Sequence, residues 1–219
     1  AEFNDAMILK TDLILRAIRE NWGEIFIYSD IDVQFFRPTR DIIFKLMRGK
    51  DLVVQRDSPL GFVCAGFFAA RGNRKILRLW EKIRQKAAED RTTNDQIILN
   101  DILWKRAGCL SFGVKRVMGF LERCSRSHDR CERYDFFGNA FGVRWTYLPA
   151  RFYSGGNMSH QHWKPGDRME IPANIVMHHA NWTYGIAHKM AQMQYVRQWV
   201  EQGRMASSML PVSPPWLRS

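Results

Sequence analysis

The sequence predicts an α/β domain, a sheet flanked by helices, on three observations. The first is the run Ile25-Phe26-Ile27-Tyr28-Ser29-Asp30-Ile31-Asp32-Val33, apolar, β-branched and aromatic, bounded by turn formers in the manner of a buried strand. The second is that further runs of this kind alternate with stretches of helical periodicity. The third is size: 219 residues, 46% hydrophobic and 13% aromatic, suit one domain with a substantial core.

Residues 4–19 set Ala6, Met7, Leu9, Leu13, Ile14, Ala17 and Ile18 at helical spacing, and Asn21-Trp22-Gly23 stops the helix. An α/β chain ordinarily opens on a strand, so a first strand–helix unit is expected upstream of Ala1. The Ile25 strand follows. Gln34-Phe35-Phe36 reads as a brief extended piece, and Arg37-Pro38-Thr39 turns the chain, with Thr39 placed to cap a helix over 39–47 that Gly49 ends. Residues 51–55 and 62–70 predict two more strands around a polar loop. Gly66 interrupts the second, and a glycine inside a strand often marks the close approach of a ligand or another backbone.

An amphipathic helix is expected over 73–88. The stretch Thr92-Thr93-Asn94-Asp95-Gln96 separates it from a helix over 97–106. Residues 109–166 are irregular, with short strands near 114–117 and 143–148 and glycine turns at Gly138 and Gly155-Gly156. A last short strand over 174–177 leads into His178-His179-Ala180-Asn181-Trp182-Thr183-Tyr184-Gly185, and a helix over 186–200 closes the domain. The domain is expected to occupy 1–205. The tail 206–219, with three prolines after Leu210, is a linker or an ordered wrap.

The formal charge is +11. Nucleic acid, an anionic membrane surface or a phosphorylated substrate would each suit it. Lysines and arginines are scattered along helical segments, however, with no long basic run, which favours a solvated basic face. No apolar run is long enough to span a bilayer. Of four cysteines, Cys64 sits in an apolar strand as a core thiol. Cys124 and Cys131 flank a polar loop and suit a short disulfide, free thiols, or a zinc site with His128.

Three constellations carry chemistry. Asp30 and Asp32, if extended, share one face at the carboxyl end of a strand, where α/β sheets bind ligands. Two such acids repel unless a cation lies between them, and their hard oxygens suit Mg²⁺ or Mn²⁺. The bare pair also occurs as turn acids and helix caps. Second, His179-x-Asn181-x-x-x-Gly185-x-x-x-Lys189 joins a metal-competent imidazole, a glycine that admits an oxyanion to backbone N–H groups, and a cation on the first turn of a helix. The plain alternative is a core histidine and a surface lysine. Third, Asn94-Asp95-Gln96 opens a helix, either as a simple N-cap or as an acid and amide for sugar hydroxyls or a developing positive charge.

Together these resemble the nucleotide-diphospho-sugar transferases, glycosyltransferases of the GT-A type. The matching elements are Tyr28-Ser29-Asp30-Ile31-Asp32-Val33, Ala65-Gly66-Phe67-Phe68-Ala69-Ala70-Arg71, Asn94-Asp95-Gln96-Ile97-Ile98-Leu99-Asn100 and His179-Ala180-Asn181-Trp182 with Gly185 and Lys189, besides the helix bearing Lys10. The resemblance implies a Rossmann-like mixed sheet flanked by helices, without the first strand–helix unit that holds the nucleotide base. It implies that Asp30, Asp32 and His179 bind Mn²⁺ or Mg²⁺ on the diphosphate of a nucleoside-diphosphate sugar. Gly185 and Lys189 would neutralise the leaving group. Asp95 and Gln96 would contact the transferred sugar or the acceptor, with Asp95 near the anomeric carbon, and Asn181, Gly66 and Arg71 would join the donor site.

The relatives closest in pattern are retaining enzymes that glycosylate hydroxyls on glycans, proteins or small molecules. Ala65 stands where the family often has a polar residue touching the sugar. A eukaryotic member would work in the Golgi lumen behind a membrane anchor outside this chain, a bacterial or viral one in the cytoplasm. The rival readings are a basic polyanion-binding module, against which the absence of a nucleic-acid motif argues, and an inactive transferase-like scaffold.

Overall fold

Two small sheets meet at the acidic corner, where the sequence suggests a single continuous strand. The computed structural model describes residues 2–57, 62–90, 92–105, 141–155 and 162–208. Along the chain these form α1 (Glu2–Glu20), β1 (Ile25–Ser29), β2 (Val33–Phe35), α2 (Arg40–Leu46), β3 (Leu52–Arg56), β4 (Val63–Arg71), α3 (Arg74–Glu89), α4 (Asp95–Lys105), β5 (Trp145–Tyr147), β6 (Phe152–Ser154), β7 (Met177–His179) and α5 (Ile186–Ser208). The first sheet has the order β1-β4-β3-β5 and the second β2-β7-β6. Both are mixed. β4 runs antiparallel to β1 and β3, and β5 parallel to β3; β7 runs antiparallel to β2 and parallel to β6.

Periodicity explains the helices. On α1, Met7, Ile14, Leu15 and Ile18 are buried, while Leu9 and Leu13 stay on the exposed side. On α3, Ile76, Leu79, Trp80, Ile83 and Ala87 form the buried stripe, and the Asn73 side chain accepts from the backbone N–H groups of Lys75 and Ile76, both at 3.0 Å. These faces pack with α4 against one side of the first sheet around Phe68, Trp80 and Trp145. On its other side, Val53, Phe67 and Ala69 meet Ile43 of α2 and Met47 at its C-cap, together with Phe152 and Met177 of the second sheet. The burial of a large apolar area on both faces is the main stabilising term. Thr39 does occupy the N-cap of α2, but its side chain makes no capping bond.

The predicted strand 25–33 is broken. β1 ends at Ser29, Ile31 and Asp32 lie in a turn with Ile31 fully exposed, and Val33 begins β2 in the second sheet. β1 is also a partly exposed strand at one side of its sheet, not a buried central one. Backbone pairing holds the corner on both sides: Asp30 N–H donates to Gly66 O at 2.7 Å, and Ala180 N–H donates to Asp32 O at 3.0 Å. The last strand forms at Met177–His179 instead of 174–177, because Ile175 N–H closes a turn onto Pro172 O. The strand β6 carries no signal in the sequence at its three-residue length, and α5 runs past residue 200. Among the described residues no helix is long and apolar enough to cross a membrane. The expected strand 114–117, the turns at Gly138 and Gly156, the loop with Cys124, His128 and Cys131, and residues 209–219 lie outside the described residues.

Candidate active site

Asp30 arrives from the end of β1, Asp32 from the corner, and His179 from the end of β7. One ligand atom of each lies within 4.8 Å of the others. The turn brings the carboxylates together although the chain does not stay extended between them. His179 Nε2 stands 3.3 Å from Asp32 Oδ1. Gly66 of β4 forms the floor: a Cβ there would overlap the His179 ring and come 2.7 Å from Asp30 Oδ2. Close approach, not a special backbone angle, requires this glycine.

Two ammonium groups face the acids. Lys10 of α1 lies 3.3 Å from Asp30 Oδ1 and 3.0 Å from Asp95 Oδ2, tying the corner to the start of α4. Lys189, on the first turn of α5, bonds directly to Asp32. Tyr28 OH donates to Asp30 Oδ1 at 2.7 Å. Burial, followed by the neighbouring Asp30, pushes the Tyr28 phenol far above its ordinary range, so it stays a donor. Burial opposes charge on Lys10, but Asp95 and Asp30 outweigh it and raise its pKa. For Asp32, burial works against ionisation, and His179 and Lys189 overcome it to hold the carboxyl well below its usual range. His179 is raised in turn: burial disfavours its charge, and Cys64 and Asp32 outweigh burial.

A buried polar layer stands behind the ligands. His179 Nδ1 is 3.0 Å from Gln55 Oε1 and 3.4 Å from Cys64 Sγ. Asn181 Nδ2 donates to Asp57 Oδ1 at 2.8 Å and to Ser154 Oγ at 2.5 Å, while its Oδ1 is buried without a partner. Burial pushes the Asp57 carboxyl up to about 6, although Trp182, His179, Gln96 and Asn181 act in the opposite direction. His178 is turned away from the corner, bonded through Nδ1 to Gln34, and burial drives it down to about 3.

The residues expected from sequence therefore divide. Asp30, Asp32, His179, Gly66 and Lys189 converge, and Asp95 joins them through Lys10. Gln96 has both ends of its amide engaged: Oε1 accepts from Ala65 N–H at 3.1 Å, and the amide also donates to Asp57. Asn181 is a brace behind His179. Gly185 takes a positive φ of 75° and its carbonyl accepts from Lys189 N–H, so it shapes the entry to α5. Arg71 is not brought to the site. It pairs with Ile25 at the opposite end of β4 and donates to Gly23 O at 2.9 Å; five strand residues, about 17 Å, separate it from Gly66. Ala65 packs into the helix-covered core, so its side chain does not face the acidic corner. The roles of Gln55 and Asp57 went unread, because no local pattern marks them; Lys10 was marked only through its helix, and Cys64, a core thiol as expected, also reaches His179. Tyr28 had a signal, two residues before Asp30.

Residues 2–193 match the sequence model of the nucleotide-diphospho-sugar transferase family. The chain belongs to this family. No curated protein and no solved structure gives a match. The matched span of this transferase runs from α1 into α5 and so includes every side chain of the converged site. Two carboxylates and an imidazole are a donor set that a divalent cation accepts, and the glycine floor leaves their approach open. The acids and the imidazole suit a cation, and the two lysines beside them suit an anion such as phosphate.

Proposed function

We propose that this transferase moves a hexosyl or pentosyl group from a nucleoside-diphosphate sugar to a hydroxyl acceptor, with Mn²⁺ or Mg²⁺ held by Asp30, Asp32 and His179. The convergence of those three side chains from two sheets, with Lys189 on Asp32, carries this reading. A bound divalent cation supplies charge stabilisation for the leaving diphosphate. Lys189 passes from Asp32 to the phosphates, where the N-terminus of α5 adds its own preference for anions. Asp95, held by Lys10, stands beside the anomeric carbon, where positive charge develops as the bond to the diphosphate breaks. Gln96 positions Asp95's helix against β4. The acceptor oxygen forms the new glycosidic bond as the bond to the diphosphate breaks, its proton goes to the departing phosphate oxygen, and the family resemblance favours retention of configuration.

Calorimetric titration of UDP and of GDP, each with Mn²⁺ and with EDTA, tests this. One nucleotide is expected to bind only with the metal, and Asp32→Asn to abolish that binding while the thermal transition remains cooperative. Binding that is equal in EDTA, or unchanged in Asp32→Asn, refutes the assignment.

A further inference from the structure

Gln55 is fully buried on β3, on the face it shares with Val53 toward the second sheet. Its amide has one workable orientation. The end facing Phe152 O, 3.1 Å away, must be the NH₂ group, because a backbone carbonyl only accepts. The opposite orientation would set two carbonyl oxygens against each other in a buried site. Oε1 therefore faces His179 Nδ1 at 3.0 Å, and since Oε1 only accepts, the proton is on Nδ1. The Cys64 thiol at 3.4 Å lies beside this bond and does not displace it. Nε2, the other ring nitrogen, is the one directed at Asp32.

The surrounding strand geometry is built for this bond. The pairing of β3 with β4 jumps between Val54 and Gln55, from Phe68 to Cys64, so Ala65, Gly66 and Phe67 bulge out of the ladder. That bulge sets Gln55 beside Cys64 under the His179 ring and frees Gly66 to form the floor. Bulges often re-aim side chains next to active sites.

We propose that Gln55 is a positioning residue for the cation site: it locks the Nδ1–H form of His179, so that Nε2 offers its lone pair beside Asp30 and Asp32. The inference rests on the metal-dependent reading above. Ligating imidazoles generally donate their second N–H to a fixed acceptor, and loss of that acceptor weakens metal binding about 10–100-fold. Here the acceptor is a neutral amide, itself oriented by the carbonyl of β6.

Two variants separate positioning from packing. Gln55→Met removes the acceptor at similar length. Gln55→Glu keeps an acceptor for Nδ1–H but loses the donor to Phe152 O. Calorimetric Mn²⁺ titration without nucleotide, alongside thermal unfolding, should show Gln55→Met at least about tenfold weaker, with Gln55→Glu within about threefold of the native chain. A bond that only tied β3 to β6 would weaken both variants alike, and that result overturns the proposal, as does native affinity in Gln55→Met. The second readout needs no variant of Gln55. In ¹⁵N-histidine-labelled native chain holding Mg²⁺, with the His179 signals assigned by their loss in His179→Gln, the proton should be on Nδ1 and not on Nε2. An unprotonated Nδ1 overturns the proposal even if neither Gln55 variant folds. Failure of the native chain to bind any divalent cation would instead refute the metal reading, and the positioning role with it; weak binding confined to Gln55→Glu and Gln55→Met alike would refute the positioning role alone.

Discussion

Gly66→Ala is the sharpest test of the converged corner, because one methyl group meets two of the three ligands at once. Its Cβ would overlap the His179 ring, stand 2.7 Å from Asp30 Oδ2 and 2.9 Å from His179 Nε2. To reach ordinary contact at 3.4 Å, the Asp30 oxygen must retreat by about 0.7 Å, and the rigid His179 ring, whose Cε1 lies nearer the new methyl than Nε2 does, by more than about 0.5 Å. Metal–ligand distances tolerate only about 0.2 Å, so the variant should lose Mn²⁺ binding at least as completely as Asp32→Asn does. Neither neighbour gives way freely: Asp30 is tied to Tyr28 and Lys10, and His179 to Gln55. Overpacking of this kind costs about 1–3 kcal/mol, or a fall of roughly 2–12 °C in thermal midpoint for a chain of this length. Calorimetry with Mn²⁺ and thermal melting by circular dichroism read the two effects separately. Gly185→Ala is the matched control. Its φ of 75° strains the substitution, but no heavy atom lies within 4 Å of the added Cβ, so metal binding should persist. A folded Gly66→Ala chain that binds Mn²⁺ within about twofold of the native one refutes the floor assignment.

Lys189→Met should weaken metal-dependent UDP or GDP binding by tenfold or more, on the order of 1.4 kcal/mol, and leave Mn²⁺ binding intact or tighter because Asp32 loses its competing ammonium; loss of Mn²⁺ binding itself would contradict this. Stability in EDTA should respond to pH through two opposed buried groups. Asp57, raised to about 6 from 3.8, binds its proton more tightly in the folded chain, so it adds stability as pH falls from 6 to 4. His178, lowered to about 3 from 6.5, takes its proton first in the unfolded chain and removes stability over the same interval. Each contributes at most about 1.4 kcal/mol per pH unit, and urea melts from pH 4 to 6 should be nearly flat in the native chain. His178→Gln should then become more stable on acidification; no change of slope would contradict the buried, neutral state of His178.

The helices α1 and α3 and the strands β3 and β4 were legible because their signals are local: apolar spacing, a capping Asn73, a long apolar run. β6, three residues long, has too little sequence to show a period. Strand 25–33 misled because an apolar run records burial and β propensity but not which sheet the chain is in, and here it changes sheets after Asp30.

The sequence by itself determined the chemistry available: Asp30 and Asp32 two residues apart, a late His179, a glycine ahead of a helix whose first turn carries Lys189, and an order of motifs that fits one family. The tertiary structure alone decided which of these meet. His179 reaches Gln55 across 124 residues and Lys189 reaches Asp32 across 157, contacts set by sheet order and helix docking that leave no periodic trace along the chain. The same packing drew Lys10 in and left Arg71 out, because burial and strand register, not proximity in sequence, choose the partners of a charge.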